Sequence, residues 1–187
     1  MIFRLFSALP ESGRLIIIIY EIFLKGNIVM KYSFAPLRDD KCEILILGSL
    51  PGEESLRMQQ YYAHPRNSFW KIMFEVLGEK YTDDYREKCR TMLRHHIALW
   101  DVVYSGERQG SLDSNIKNMS SNDMSAFLKQ YPKIRKILLN GKRAYSVFVK
   151  NAPECSAQVI CLPSTSPANA AVKYREKLER WRAAMTE

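Results

Sequence analysis

Short blocks of consecutive apolar residues alternate along this chain with longer stretches in which apolar positions recur every three or four residues. The block "EILILG", residues 43 to 48, has the length and continuity of a strand buried on both faces. "NSFWKIMFEVLG" changes the period: Phe69, Ile72, Met73 and Val76 fall on one helical face, and Gly78 ends it. "DDYREKCRTMLRHH", residues 83 to 96, predicts a second helix whose acidic opening suits a helix N-terminus. "IALWDVV" returns to strand, and the polar, turn-rich "YSGERQGSLDSNIKN", residues 104 to 118, reads as a surface loop. The pattern then predicts a helix near "SNDMSAFLKQY", a strand in "KIRKILLNG", a helix in "KRAYSVFVKN", a last strand in "SAQVICLP" and a closing helix over residues 169 to 185.

Strands alternating with helices imply a mainly parallel sheet with helices on both faces. The expected fold class is α/β, a three-layer α/β/α sandwich with about four parallel strands, formed as one domain by residues 30 to 187. In such sheets ligands bind outside the carboxyl ends of the strands. Those ends deliver "GSLPG", the loop after "LWDVV", "NGKRAY" and "LPSTSPAN". Residues 1 to 29 stand apart. Their run "RLIIIIYEIFL" is interrupted by Glu21 and is short for a bilayer span, so this leader is read as a start-site artefact or a dispensable extension, with Met30 opening an ordinary cytosolic start.

Charge narrows the range of partners. Lys+Arg minus Asp+Glu is 28 − 20 = +8, an excess that favours a polyanion because neutralised phosphates release counterions. Cys42, Cys89, Cys155 and Cys161 lack the close pairing of a metal or cluster site and read as reduced core thiols of a cytoplasmic protein. Adjacent His95 and His96 cannot share a ligand, so neither metal nor cofactor is expected.

Three segments carry the candidate chemistry. "GSLPG" sets Gly48 and Gly52 around Pro51, in a turn whose backbone N–H groups can face a ligand; a plain strand-to-helix turn is the alternative. "LPSTSPAN" fits a capped helix start, Ser166 as N-cap and Pro167 first in the helix, and the same hydroxyls suit a phosphate. "YYAHPRNSFW" sets Asn67 just ahead of a core-like Phe69 and Trp70. By itself Asn67 reads as the cap of the following helix.

Together, and in this order, "GSLPG", "AHPRNSFWK", "GKRAY" and the Pro-Ser loop resemble the uracil-DNA glycosylase superfamily over roughly residues 41 to 182. One departure is informative. In the uracil and mismatch branches the second residue after the first glycine is Asp or Asn and handles the catalytic water, whereas here it is Leu50, which cannot orient water. "GSLPGEESL", "YYAHPRNSFW", "LWDVV" and "GSLDSNI" look most like the hypoxanthine-DNA glycosylase branch, in which the "HPxN" segment supplies the catalytic asparagine.

That resemblance implies a monofunctional glycosylase that hydrolyses the bond between a flipped, deaminated base and its sugar. Asn67 would then be catalytic, and Tyr62 would stack on the base, with Tyr61 open between that role and the core. Gly48, Ser49 and Leu50 would present N–H groups to the base edge, and His64 would hold the loop or contact a phosphate. Ser164, Thr165, Ser166, Lys142 and Arg143 would meet the DNA backbone. Asp113 in "SLDSNI" reads as a turn former. The implied partner is DNA, duplex or single-stranded, engaged by a monomer with no membrane. The alternatives are a uracil, thymine-mismatch or xanthine glycosylase, or a nucleic-acid-binding α/β module without catalysis.

Overall fold

The computed structural model describes residues 30–151 and 155–186, and the leader inferred for residues 1–29 lies outside them. The elements in chain order are β1 (Met30–Tyr32), β2 (Ile44–Gly48), α1 (Glu53–Met58), α2 (Phe69–Val76), α3 (Tyr85–Arg94), β3 (Ile97–Asp101), β4 (Val103–Glu107), β5 (Lys117–Ser121), α4 (Met124–Gln130), β6 (Lys136–Asn140), α5 (Lys142–Lys150), β7 (Gln158–Leu162) and α6 (Tyr174–Thr186). The apolar blocks become a parallel four-stranded sheet in the order β3-β2-β6-β7.

Alternation along the strands divides the core into two layers. Leu45, Leu47, Ala98, Ile137 and Leu139 pack with Met124 and Phe127 of α4 and with Ala144, Val147 and Phe148 of α5. On the other face Ile46, Ile97, Leu99 and Leu138 meet Phe69, Ile72 and Met73 of α2, Met92 of α3, and Leu178 and Trp181 of α6. Each large side chain buried this way stabilises the fold by about 1.5–3 kcal/mol relative to exposure. Helix ends follow their sequence signals: the Asp84 side chain accepts the Arg86 N–H at 2.9 Å, and Gly78 takes the left-handed φ of 68° just after α2.

Three expectations need correction. Residues 104 to 118 are a loop only in their middle, over residues 108–116: 104–107 and 117–118 lie in β4 and β5, which pair antiparallel, with β1 on the other edge of β4, as a second, three-stranded sheet. Its Ser and Gly residues mimic turns because small residues are needed there; a Cβ at Gly106 would lie 2.8 Å from Ile116 Cγ2. The closing helix starts at Tyr174, not at residue 169, and Ser166 is not its cap. Instead the Ser166 hydroxyl accepts the Ala168 N–H at 3.2 Å in a separate turn. The thiols are all free, but only Cys42 is in the core, while Cys161 on the outer strand β7 is exposed. No helix among the described residues is long and apolar enough to cross a membrane.

The pairing register has one consequence for chemistry. Gly48 stands opposite Asp101, Leu47 opposite Leu139, and Asn140 opposite Leu162. The carboxyl edge of the sheet is therefore a level row of Asp101, Gly48, Asn140 and Leu162.

Candidate active site

A cleft of about 810 Å³ opens above this row, lined by the "GSLPG" turn, Tyr62, His64, Asn67, Asp101, Asp113, Asn140, the start of α5 and the "LPSTSPAN" loop. Six sequence-distant segments thus meet at one edge. Gly48 at the centre has no side chain for a geometric reason: a Cβ there would sit 2.5 Å from Asp101 Oδ1 and 3.3 Å from the Tyr62 hydroxyl.

The segment holding Asn67 is stiff. Pro65 stands at the second position of a turn closed by the Asn67 N–H donating to the His64 carbonyl at 2.8 Å, and the Arg66 N–H donates to His64 Nδ1 at 3.1 Å. A neutral His64 therefore carries its ring proton on Nε2. Asn67 Oδ1 accepts the Phe69 N–H at 3.0 Å in a local turn at the entrance of α2, but the residue at the N-cap is Ser68, not the Asn67 expected from sequence. An amide oxygen has two lone pairs, and one remains, as do both N–H donors. That bond fixes the amide's orientation without using it up.

Tyr61 and Tyr62 part company. Tyr61 belongs to the core, its hydroxyl on the Ala35 carbonyl at 3.1 Å and its own carbonyl accepting the Trp70 indole N–H at 2.9 Å. Tyr62, at a φ of 55°, lays its ring on Phe69 with centroids 3.8 Å apart, and its hydroxyl is buried with no partner among the described residues.

The Pro-Ser loop is clamped from three sides. Asn140 donates to the Thr165 hydroxyl and accepts its N–H, both at 2.9 Å. Ser68 donates its N–H and its hydroxyl to the Thr165 carbonyl, both at 3.1 Å, which ties the loop to the residue next to Asn67. Trp181 Nε1 holds the Pro163 carbonyl at 3.1 Å, and Lys177 holds that of Asn169 at 2.9 Å. Thr165, 1% exposed, is turned inward to this clamp rather than toward a phosphate. Ser164 and Ser166 are half-buried on the cleft wall, and Lys142 is exposed at its rim. Arg143 is half-buried, with Nη2 3.6 Å from Met119 Sδ. Gly141 makes the close approach possible: at a φ of 107°, a Cβ there would lie 2.9 Å from Ser164 Cβ.

Sequence reasoning passed over three polar residues. Asp101, quoted only as part of a strand, is a buried acid whose Oδ2 accepts the Ser33 hydroxyl at 3.0 Å. Burial pushes its carboxyl up to about 7, against the Ser33 hydrogen bond, which lowers it. An acid ending a wholly apolar strand was the available signal. Arg108 has a completely buried side chain that donates to the Leu50 carbonyl at 3.3 Å and to that of Pro51. Asp113, read as a turn former, accepts the Ser49 hydroxyl at 2.7 Å and lies 3.8 Å from Arg108.

Asp101 makes stability depend on pH. Because the folded state keeps this proton up to about 7 while an unfolded aspartate loses it near 4, the native state binds more protons in between. Stability therefore falls as pH rises from about 4 through 7. Urea midpoints at pH 5 and pH 8 are expected to drop more for the wild type than for Asp101→Asn, and equal drops would remove Asp101 as the source.

Comparison with known proteins fits this geometry. Residues 35–186 match the family model for the uracil DNA glycosylase superfamily. The chain is 40% identical over 144 residues to a protein named hypoxanthine DNA glycosylase from Methanosarcina acetivorans, covering 75% of this chain and 89% of that one. A protein of the same name from Methanosarcina barkeri is 40% identical over 115 residues, covering 61% of this chain and 73% of its own. The fold is similar to a solution NMR structure from Methanosarcina acetivorans assigned to the uracil DNA glycosylases, with a TM-score of 0.72 and 38% identity over 84% of this chain and 97% of that one.

Proposed function

The chain belongs to the uracil DNA glycosylase superfamily and is a DNA glycosylase, and from that premise we infer that it removes hypoxanthine from deoxyinosine sites in DNA. The observation that carries the reading is an exchange of partners inside one cleft. The position in the glycine–proline turn that would handle water holds the buried, aliphatic Leu50, while the amide of Asn67 lines the same space from the entrance of α2.

The reaction replaces the bond from the base nitrogen to C1′ with one from a water oxygen, the base leaving with the electron pair and taking up a proton. The base lies inside the duplex stack, so it enters the cleft by flipping out, at a cost of about a few kcal/mol that is smaller for a weakly paired lesion. Tyr62 stacks on it, a contact typically worth about 1–3 kcal/mol. Asn67 accepts a hydrogen bond from the attacking water on its free lone pair while Phe69 holds the same oxygen in place. Backbone N–H groups of Gly48, Ser49 and Leu50 meet charge developing on the base, where fixed dipoles need no reorganisation. His64 serves through Nε2–H as a donor to sugar or phosphate. Ser164, Ser166, Lys142 and Arg143 take the DNA backbone at the cleft wall and rim. We assign these roles to a monomer acting in the cytoplasm.

The decisive experiment uses duplexes that each carry one deoxyinosine, deoxyuridine or deoxyxanthosine, followed by alkaline cleavage of abasic sites. Strand scission at deoxyinosine is expected. Release of uracil with deoxyinosine untouched would reassign the substrate, and no abasic product from any duplex would leave a binding module.

A further inference from the structure

"GSLDSNI" folds down onto the glycine–proline turn. The Ser111 hydroxyl accepts the Glu53 N–H at 2.9 Å, Asp113 Oδ1 accepts the Ser49 hydroxyl at 2.7 Å, and Arg108 reaches the carbonyls of Leu50 and Pro51. Lys31 of β1 completes the attachment through Glu53 and the Gly110 carbonyl, the latter at 3.0 Å. A chain that needed only a reversal here would not bury a whole guanidinium to fix it, since taking a charge out of water costs several kcal/mol.

What the anchoring fixes is the Asp113 carboxylate. Its side chain remains 40% exposed and lines the cleft together with Gly48, Ser49 and Tyr62. Oδ1 carries the Ser49 bond and faces Arg108, which leaves the second oxygen's lone pairs for a ligand. The geometry points to Asp113 as the residue that reads the six-membered ring of the flipped base, accepting the N–H at N1 of hypoxanthine. This inference rests on the functional reading above, in which the base occupies this cleft.

The chemistry gives the contact its purpose. Deamination of adenine turns the C6 amine into a carbonyl and places a proton on N1. A held carboxylate accepts that proton's hydrogen bond, whereas adenine offers a lone pair at the same position and leaves two acceptors facing each other. Sites built to bond a particular hydrogen reject analogues lacking it far better than apolar pockets reject extra bulk. Backbone N–H groups of the neighbouring turn suit the C6 carbonyl beside it. Guanine also carries a proton on N1, so its rejection falls to contacts around C2.

The test compares single-turnover excision from duplexes holding deoxyinosine or N1-methyl-deoxyinosine, using the full chain and its Asp113→Asn and Asp113→Ala variants. Wild type is expected to prefer deoxyinosine by about 10- to 100-fold, the usual scale for one lost hydrogen bond to a charged acceptor. In both variants that ratio should collapse toward one, chiefly through slower release of hypoxanthine. Because it is taken within one protein, the ratio is insensitive to partial unfolding. A ratio preserved in both variants, or an equal fall on both substrates, would overturn the role of Asp113 alone. No product from wild type on deoxyinosine would instead overturn the functional reading, and this inference with it.

Discussion

Asn67→Ser is expected to slow single-turnover release of hypoxanthine by about 10²–10⁴-fold, the usual contribution of a positioned group that handles a reacting proton. At about 1.36 kcal/mol per factor of ten, that is roughly 3–5 kcal/mol of transition-state stabilisation. Serine separates two roles that alanine would confound. Asn67 Oδ1 holds the Phe69 N–H, and a serine hydroxyl forms the same kind of turn, though more weakly, while failing to reach the attacking water. Asn67→Ala removes both and should also cost about 1 kcal/mol of stability, the usual net worth of one hydrogen bond. If the serine variant cleaved at close to the wild-type rate, or if its loss tracked a large fall in unfolding midpoint, water steering by Asn67 would be excluded.

Arg108→Met is expected to destabilise the native state by about 1–3 kcal/mol, the range for leaving buried polar groups without their hydrogen-bond partner. For a domain of this size that corresponds to a fall in Tm of roughly 2–12 °C. The loss has two sources: the Leu50 and Pro51 carbonyls lose their donor, and Asp113 loses its counter-charge. Coupling between Arg108→Met and Asp113→Asn should appear in a double-mutant cycle. A midpoint unchanged by Arg108→Met would show that the guanidinium contributes nothing to holding the turn.

The parallel sheet was legible because strands buried on both faces must be continuously apolar, as "ILILG" and "KILLN" are. Its carboxyl edge was legible for the same reason, since the motif loops follow those strands directly. The second sheet was hidden: β4 reads "VYSGE", where the demand is for small residues at close approaches rather than for an apolar face. Asn67 could be singled out, but its hold on the helix entrance and its chemistry could not be separated, because one oxygen serves both, and the cap itself falls one residue on, at Ser68. Arg108 gave no local signal, and Asp113 gave a motif and a turn reading but no chemistry, as their meaning lies in contacts across 58 and 64 positions with Leu50 and Ser49. Thr165 shows the reverse error, a hydroxyl in a plausible phosphate loop that is spent on Asn140.

Hairpins measure out their own alignment, but a parallel sheet has nothing of the kind. Each strand of β3-β2-β6-β7 reaches its neighbour by a long detour, so the heights of Asp101, Gly48 and Asn140 are set by how the two oily layers interlock beneath them. Trimming a residue as remote as Leu45 could therefore tilt the platform on which a damaged base is inspected. The accuracy of the inspection is inherited from the masonry below.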